Sequence, residues 1–211
     1  MKLTYLLSAF LATLAAASPI ASISDPAENT ELVTRTDNAV ESTELVARSP
    51  TVIESKEYAA IKAKHHDLKH DHYYYFYVTW PRGSLIDGDH ETKAEVEHLR
   101  DTLGFDHIGI IVGKVTEKEG GTKKKPTVKK NFEARLYHMA KDTSGKSVLK
   151  VHTWEKKDSD HKPLSFGGVT TKRKHDAVAG NAREWIKDHP HYNVDTNNCN
   201  SFVHNIATSL R

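Results

Sequence analysis

Cysteine is nearly missing from this chain of 211 residues; the single one is Cys199. A disulfide framework within the chain is therefore excluded, and so is a cysteine-rich zinc site. Proline (7) and glycine (11) are too scarce for collagen-like or low-complexity architecture. Neither sign of charge dominates, with 30 Lys and Arg against 28 Asp and Glu. That balance excludes a chain that binds polyanions by charge alone, so no nucleic-acid partner is expected. After Ala17 no apolar run approaches the roughly 20 residues of a membrane-spanning helix, so no stable membrane anchor is expected. The residue in excess is histidine, with 14.

The first segment reads as an address. Lys2 is followed by an uncharged apolar run from Leu3 that ends in Ala15-Ala16-Ala17. A charged start, an apolar stretch too short to span and a small-residue cleavage site describe a secretory signal peptide over 1–17. Secretion to the extracellular space is the expectation. Residues 18–50 are acidic, rich in Ser, Thr and Ala, and devoid of aromatics. They repeat one pattern, Thr30-Glu31-Leu32-Val33-Thr34-Arg35 and Thr43-Glu44-Leu45-Val46-Ala47-Arg48. Such a segment buries too little apolar surface to order itself. It reads as a pro-segment cut after one or both arginines, or as an uncleaved tail.

Residues 51–211 carry the folded domain. Tyr58 to Lys69 reads as a short helix running into a patch of His65, His66, His70 and His72. His66 and His70, four apart, would share a helix face. No H-E-x-x-H pattern frames them, and a solvated patch is the simpler reading. Tyr73 to Trp80 is aromatic and β-branched, a strand. Glu91 to Leu103 has helical spacing and ends at Gly104. Asp106 to Gly113 is a short apolar strand, followed by a basic loop around Lys123-Lys124-Lys125-Pro126. Phe132 to Met139 alternates, with Phe132, Ala134, Leu136 and His138 on one face. An imidazole on that apolar face needs a partner. Ser147 to Trp154 is a further strand, and Ala177 to Lys187 a helix stopped by Pro190. The cap-forming run Asp195-Thr196-Asn197-Asn198 then opens a last helix at Cys199. The expected class is α+β, an antiparallel sheet packed against helices.

A cysteine in the first turn of a helix feels the positive end of the dipole, which favours thiolate. A lone cysteine in a secreted chain is an intermolecular link, an inert buried residue or a reactive thiol.

The sequence around Cys199 favours the reactive thiol. Tyr192-Asn193-Val194-Asp195-Thr196-Asn197-Asn198-Cys199-Asn200-Ser201-Phe202-Val203 closely resembles the cysteine motif of circularly permuted papain-like (NlpC-type) hydrolases, N-C-x-x-F at a helix start. Upstream, His107-Ile108-Gly109-Ile110-Ile111-Val112-Gly113 is similar to that superfamily's histidine strand, H-x-G-I-x-x-G. Its lecithin:retinol acyltransferase-like branch places a third polar residue on the next strand, where this chain has Leu136-Tyr137-His138-Met139. Pro81-Arg82-Gly83-Ser84-Leu85-Ile86 faintly resembles that branch's P-G-D-L-I entry. The PPPDE peptidase branch reads N-C-N-x-F, which Asn198-Cys199-Asn200-Ser201-Phe202 also matches. The resemblance spans roughly residues 73–209, with insertions around 87–103 and 116–130.

It implies a permuted papain-like fold with Cys199 as nucleophile, His107 as base and His138 orienting His107. The Cys199 N–H, helped by Asn198, would stabilise the oxyanion. The implied activity is hydrolysis or transfer of an amide, ester or peptide acyl group, with no cofactor and no metal. Two alternatives stand beside it: a catalytically silent secreted effector or binding protein on the same fold, and a His-rich metal-binding protein using residues 65–72. Cys199 is expected to have a depressed pKa through the helix start and His107. The mature N-terminus is expected beyond Ala17, and beyond Arg48 if the repeat is a pro-segment. Terminal sequencing of the secreted protein checks this; an active form starting at residue 18 overturns the pro-segment.

Overall fold

A computed structural model of the chain describes residues 49–211, apart from 85 and 87. The signal peptide and all but the end of the acidic segment fall outside the described residues. In chain order the elements are β1 (Thr51–Glu54), α1 (Lys56–Lys62), β2 (Tyr73–Trp80), α2 (Lys93–Leu103), β3 (His107–Thr122), β4 (Lys125–Lys141), β5 (Ser147–Thr153), β6 (Leu164–Thr170), α3 (Lys172–Asp188) and α4 (Cys199–Leu210). The fold is α+β. One sheet runs β1-β4-β3-β2-β6, with β5 also paired to β4. Its pairings are antiparallel except β1 with β4, which is parallel. β4 is long enough for β1 to use Thr127–Lys130 and β5 to use Arg135–Lys141.

Strand alternation divides the apolar residues between two cores. Ile108, Ile110 and Val112 of β3 and Tyr137 and Met139 of β4 pack with α3 and α4. Ile111 and Val115 of β3 and Phe132, Ala134 and Leu136 of β4 join Trp80, Trp154 and the Tyr58 and Ile61 side chains of α1 in the other core. The sheet is thus buried on both faces over its centre, which is why His107–Val112 reads as an almost unbroken apolar run.

Three expectations are revised. α1 ends at Lys62, because no apolar residue recurs at helical spacing through the polar run that follows. His66 and His70 therefore share no helix. β3 does not stop near Gly113 but continues to Thr122. Beyond Thr116 it is an exposed ribbon held to β4 by backbone pairing and a Glu117–Lys130 ion pair at 2.9 Å, so no hydrophobic pattern announces it. The basic stretch is the tip of that hairpin, where Thr122 pairs with Lys125. Gly121 has φ +79°, and a Cβ there would meet the Lys125 carbonyl oxygen at 2.2 Å.

α2 starts as its sequence directs. The Thr92 hydroxyl accepts from the Glu95 N–H, the Glu95 carboxylate accepts from the Thr92 N–H, and Gly104 ends the helix in the left-handed region. Its last turn is tied to the residue before His107. Arg100 Nε donates to Asp106 Oδ1 at 2.7 Å, and the Gly83 N–H donates to Asp106 Oδ2 at 2.7 Å. Burial would raise the Asp106 carboxyl, but Arg100 and the Gly83 N–H hold it below its ordinary value. A depressed carboxyl contributes stability that is present above its unfolded pKa and lost as pH falls through the folded one. Asp106→Asn is expected to cost about 1.5–3 kcal/mol at neutral pH, the range for hydrogen bonds to a charged group. It should also flatten the loss of stability below about pH 4. Chemical denaturation across pH measures both.

Candidate active site

The site grows from the start of α4. Asn198 Oδ1 accepts from the Asn200 and Ser201 N–H groups, each at 3.0 Å, and Ser201 Oγ accepts from the Asn198 N–H at 2.8 Å. This reciprocal cap makes Cys199 the first residue of the helix, as the run of cap formers indicates. The other amides build the approach. Asn193 Oδ1 accepts from the Asp195 and Thr196 N–H groups, and Asn197 Nδ2 donates to the His189 carbonyl. Asn198 Nδ2 donates to the Val194 carbonyl at 2.6 Å. The Asn198 side chain is thus spent on capping its helix and tying the preceding turn. The Cys199 N–H lies in the first turn, where N–H groups lack intrahelical acceptors.

His107 opens β3 and His138 lies near the end of β4. The structure brings them together, His107 Nε2 to His138 Nδ1 at 3.0 Å, with both side chains buried. Trp80 packs its ring edge-on to His107 at 4.9 Å between centroids and tilts against His138 at 5.5 Å. His138 therefore finds the partner that its apolar face demands. Burial, reinforced by His138 and Lys162, lowers the His107 pKa well below the ordinary imidazole value. Burial, then His152, Lys150 and Lys162, lowers His138 to about 3. Both rings are neutral near pH 7, so a single proton lies between them. If His107 Nε2–H donates, its Nδ1 presents a lone pair. That Nδ1 is buried and has no hydrogen-bond partner.

Cys199 does not complete the pair by direct contact. It is wholly buried in the core beneath α3 and α4, whereas the two imidazoles face Trp80 and the other core. No hydrogen bond joins its sulfur to His107. The N–H groups of Ile108, next to His107, and of Asn200 face the sulfur and favour thiolate. Burial and the nearby Glu91 and Asp89 carboxylates outweigh them and push the thiol up to about 12. The expectation of a depressed Cys199 pKa is thus overturned: a helix terminus offers a fraction of a unit charge, while desolvation acts on the whole thiolate.

The two carboxylates are the residues that sequence reasoning missed. Asp89 Oδ1 accepts from the Lys141 N–H at 3.0 Å, and the His90 N–H donates to the Lys141 carbonyl at 2.8 Å, clasping this segment to the end of β4. Glu91 Oε1 accepts from the Tyr192 hydroxyl. Burial raises both carboxyls, and the Asp89 charge raises Glu91 further. Asp89 Oδ2 lies 3.8 Å from His107 Nδ1. The signal was the acidic run Asp87-Gly88-Asp89-His90-Glu91, which by composition reads as a solvated loop inside an insertion.

The histidine patch at 65–72 is dispersed. His65 stacks on Phe166 at 3.9 Å, His72 Nδ1 pairs with the His70 carbonyl, and His70 faces Asp71. A cleft of about 320 Å³, bounded by Trp80, Ile86, Leu136, Lys150, His152 and Lys162, reaches His138 but not Cys199. Among the described residues no helix is long and apolar enough to cross a membrane. Compared with protein-family models, curated proteins and solved structures, the chain matches none.

Alkylation of native Cys199 is expected to show its inflection above the ~8.5 of a free thiol. Glu91→Gln removes a negative charge beside the sulfur and should move that inflection down. An inflection below 8.5 in the unmodified protein overturns the burial argument; rate against pH measures it.

Proposed function

We propose that the protein is a secreted thiol hydrolase or acyltransferase of permuted papain-like type, acting on an amide or ester acyl group. The observation that carries the reading is the His107–His138 hydrogen bond, which leaves His107 Nδ1 without a partner one residue from the amide that faces Cys199. His138 fixes the His107 tautomer, as the third member of a cysteine or serine triad does. The thiol step requires Nδ1 and the sulfur to come into hydrogen-bond reach, and such bonds commonly tighten only with substrate present.

Cys199 then attacks the carbonyl carbon while its S–H proton passes to His107 Nδ1. The Cys199 N–H donates to the oxyanion. His107 returns that proton to the leaving group, whose bond to the acyl carbon breaks. Water, or another acceptor, attacks the thioester with His107 taking its proton, and the thiol is restored. The cleft beside His138, edged by Lys150 and Lys162, offers an approach for an acyl chain or a peptide.

A second reading has its own support. Cys199 is fully buried, its thiolate is disfavoured and the cleft does not reach it. These features suit a secreted binding protein that retains the fold without turnover.

Labelling with thiol-directed acyl probes, followed by a panel of esters and amides, separates the two. For the enzyme, Cys199→Ala and His107→Ala should each abolish turnover, and the double variant should be little worse. His138→Asn should lose on the order of 10- to 10⁴-fold, in keeping with an orienting group. Full activity in folded Cys199→Ala overturns the thiol mechanism. Failure of every probe to label the native protein favours the binding protein.

A further inference from the structure

We propose that Asp89, Glu91 and His107 form a binding site for a divalent transition-metal ion, of which zinc is the type. Three potential donor atoms, one from each residue, lie within 4.8 Å of one another. Asp89 Oδ2, Glu91 Oε2 and His107 Nδ1 are also the atoms of these residues that are buried and lack a hydrogen-bond partner. A buried polar atom without a partner costs free energy, and the exceptions in a folded protein call for an explanation. Here the orphaned imidazole nitrogen lies 3.8 Å from the orphaned Asp89 oxygen, and a Glu91 oxygen lies within 4.8 Å of the donors of both.

The rest of each side chain is anchored in a way that holds the free atom in place. His107 gives its other nitrogen to His138 at 3.0 Å, the arrangement that fixes a metal-binding imidazole with its lone pair on the ligating nitrogen. Asp89 spends Oδ1 on the Lys141 and Glu91 N–H groups and keeps Oδ2. Glu91 spends Oε1 on the Tyr192 hydroxyl and keeps Oε2. The His107 side chain is 0% exposed and that of Asp89 5%. Among the described residues, neither carboxylate has a Lys or Arg within ion-pair distance. No Lys or Arg thus balances the pair, a task left to a shared proton or to a bound cation.

A doubly charged cation balances two carboxylates and a neutral imidazole, leaving the buried site without net charge. The donor set narrows the ion. An imidazole among the donors suits zinc, manganese, iron or nickel, whereas calcium takes six to eight oxygens. Zinc bonds of about 2.0–2.2 Å put tetrahedral donors roughly 3.3–3.5 Å apart. The 3.8 Å between Asp89 Oδ2 and His107 Nδ1 needs only a small contraction. The site shares His107 with the thiol chemistry proposed above but does not rest on it. Where both hold, a bound ion occupies the nitrogen that takes the Cys199 proton, and metal binding silences turnover.

The test measures binding directly. The full chain, freed of metal by a chelator, is titrated with Zn²⁺ in calorimetry and in thermal unfolding. One ion per chain is expected, with a rise in Tm that grows with Zn²⁺ concentration; Ca²⁺ should give none. Asp89→Asn and Glu91→Gln, which preserve the anchored oxygen, should each weaken Zn²⁺ by at least the ~10- to 100-fold that loss of an outer-shell partner costs, and their combination should abolish binding. Replacing His65, His66, His70 and His72 together by Gln should leave the affinity unchanged. Cys199→Ser should bind Zn²⁺ like the parent, so loss of turnover and loss of metal are read separately. Undiminished binding in the Asp89→Asn/Glu91→Gln double variant, equal binding of Ca²⁺, or no Zn²⁺ binding by the parent overturns the proposal.

Discussion

The registration of β3 against β4 is the constraint on which the rest of the site depends. Ile110 stands opposite Tyr137 and Ile111 opposite Leu136. By alternation His138 shares the face of Leu136, to which His107 also points. A side chain at 109 would enter this space; its Cβ would meet Leu136 Cδ1 at 2.9 Å and Trp80 at 3.2 Å. Glycine therefore lets Trp80 lie against both imidazoles, and Trp80 in turn shuts water away from them. A slip of one residue would send His138 to the face covered by α3 and α4 and separate it from His107. The long ribbon beyond Thr116 adds backbone pairing that defends this register although it buries little.

The same register sets the relation of the imidazoles to the thiol. Residues alternate across a strand, so His107 and Ile108 face opposite cores. α4 covers the face of Ile108, and Cys199 at its start meets the Ile108 N–H rather than the neighbouring ring. Thiol and imidazole can meet only around the beginning of β3, where the sheet ends and the segment carrying Asp89 and Glu91 crosses. That segment is not a neutral cover. It carries two carboxylates to the place where the thiolate and an imidazolium would form. Negative charge there opposes the thiolate and favours a cation.

Much of the fold is legible in the sequence because it is written in apolar period. Tyr73–Trp80, the start of β3 and the alternation of Phe132–Met139 each bury a face, and the helices before and at Cys199 carry apolar stripes. The cap at Asn198 is legible because short side chains that accept hydrogen bonds have few other uses at such density. The exposed half of the β3–β4 hairpin is not legible, since its stability comes from backbone pairing that leaves no mark on side-chain choice. α1 is overextended in a sequence reading because charge and histidine continue after the apolar contacts stop. In the site, the two imidazoles follow from their strands. The acidic pair does not, because carboxylates in a Gly-containing run are usually solvated, and only the clasp to Lys141 and the Tyr192 hydroxyl buries these two. The Cys199 thiol is misjudged for a related reason: the helix start is visible in the sequence, but the depth of burial around it is not.

His107 Nδ1 is the point where both chemistries of the site converge. In the proposed thiol chemistry its lone pair is the base; in the proposed metal site it is a ligand. Which role it serves depends on what balances Asp89 and Glu91. With a proton held on one carboxyl, the pair carries a single negative charge, and His107 stays neutral and free to accept from Cys199. With a divalent cation on the carboxylates, Nδ1 is drawn away from the thiol. The sulfur would also lose much of the negative field that now opposes its ionisation, so a thiolate would be easier to form just when its base is occupied. The buried acids therefore do more than close the site. Under the two proposals they would couple its state of charge to the availability of its base, with Asp89 and His90 tied to Lys141 on β4.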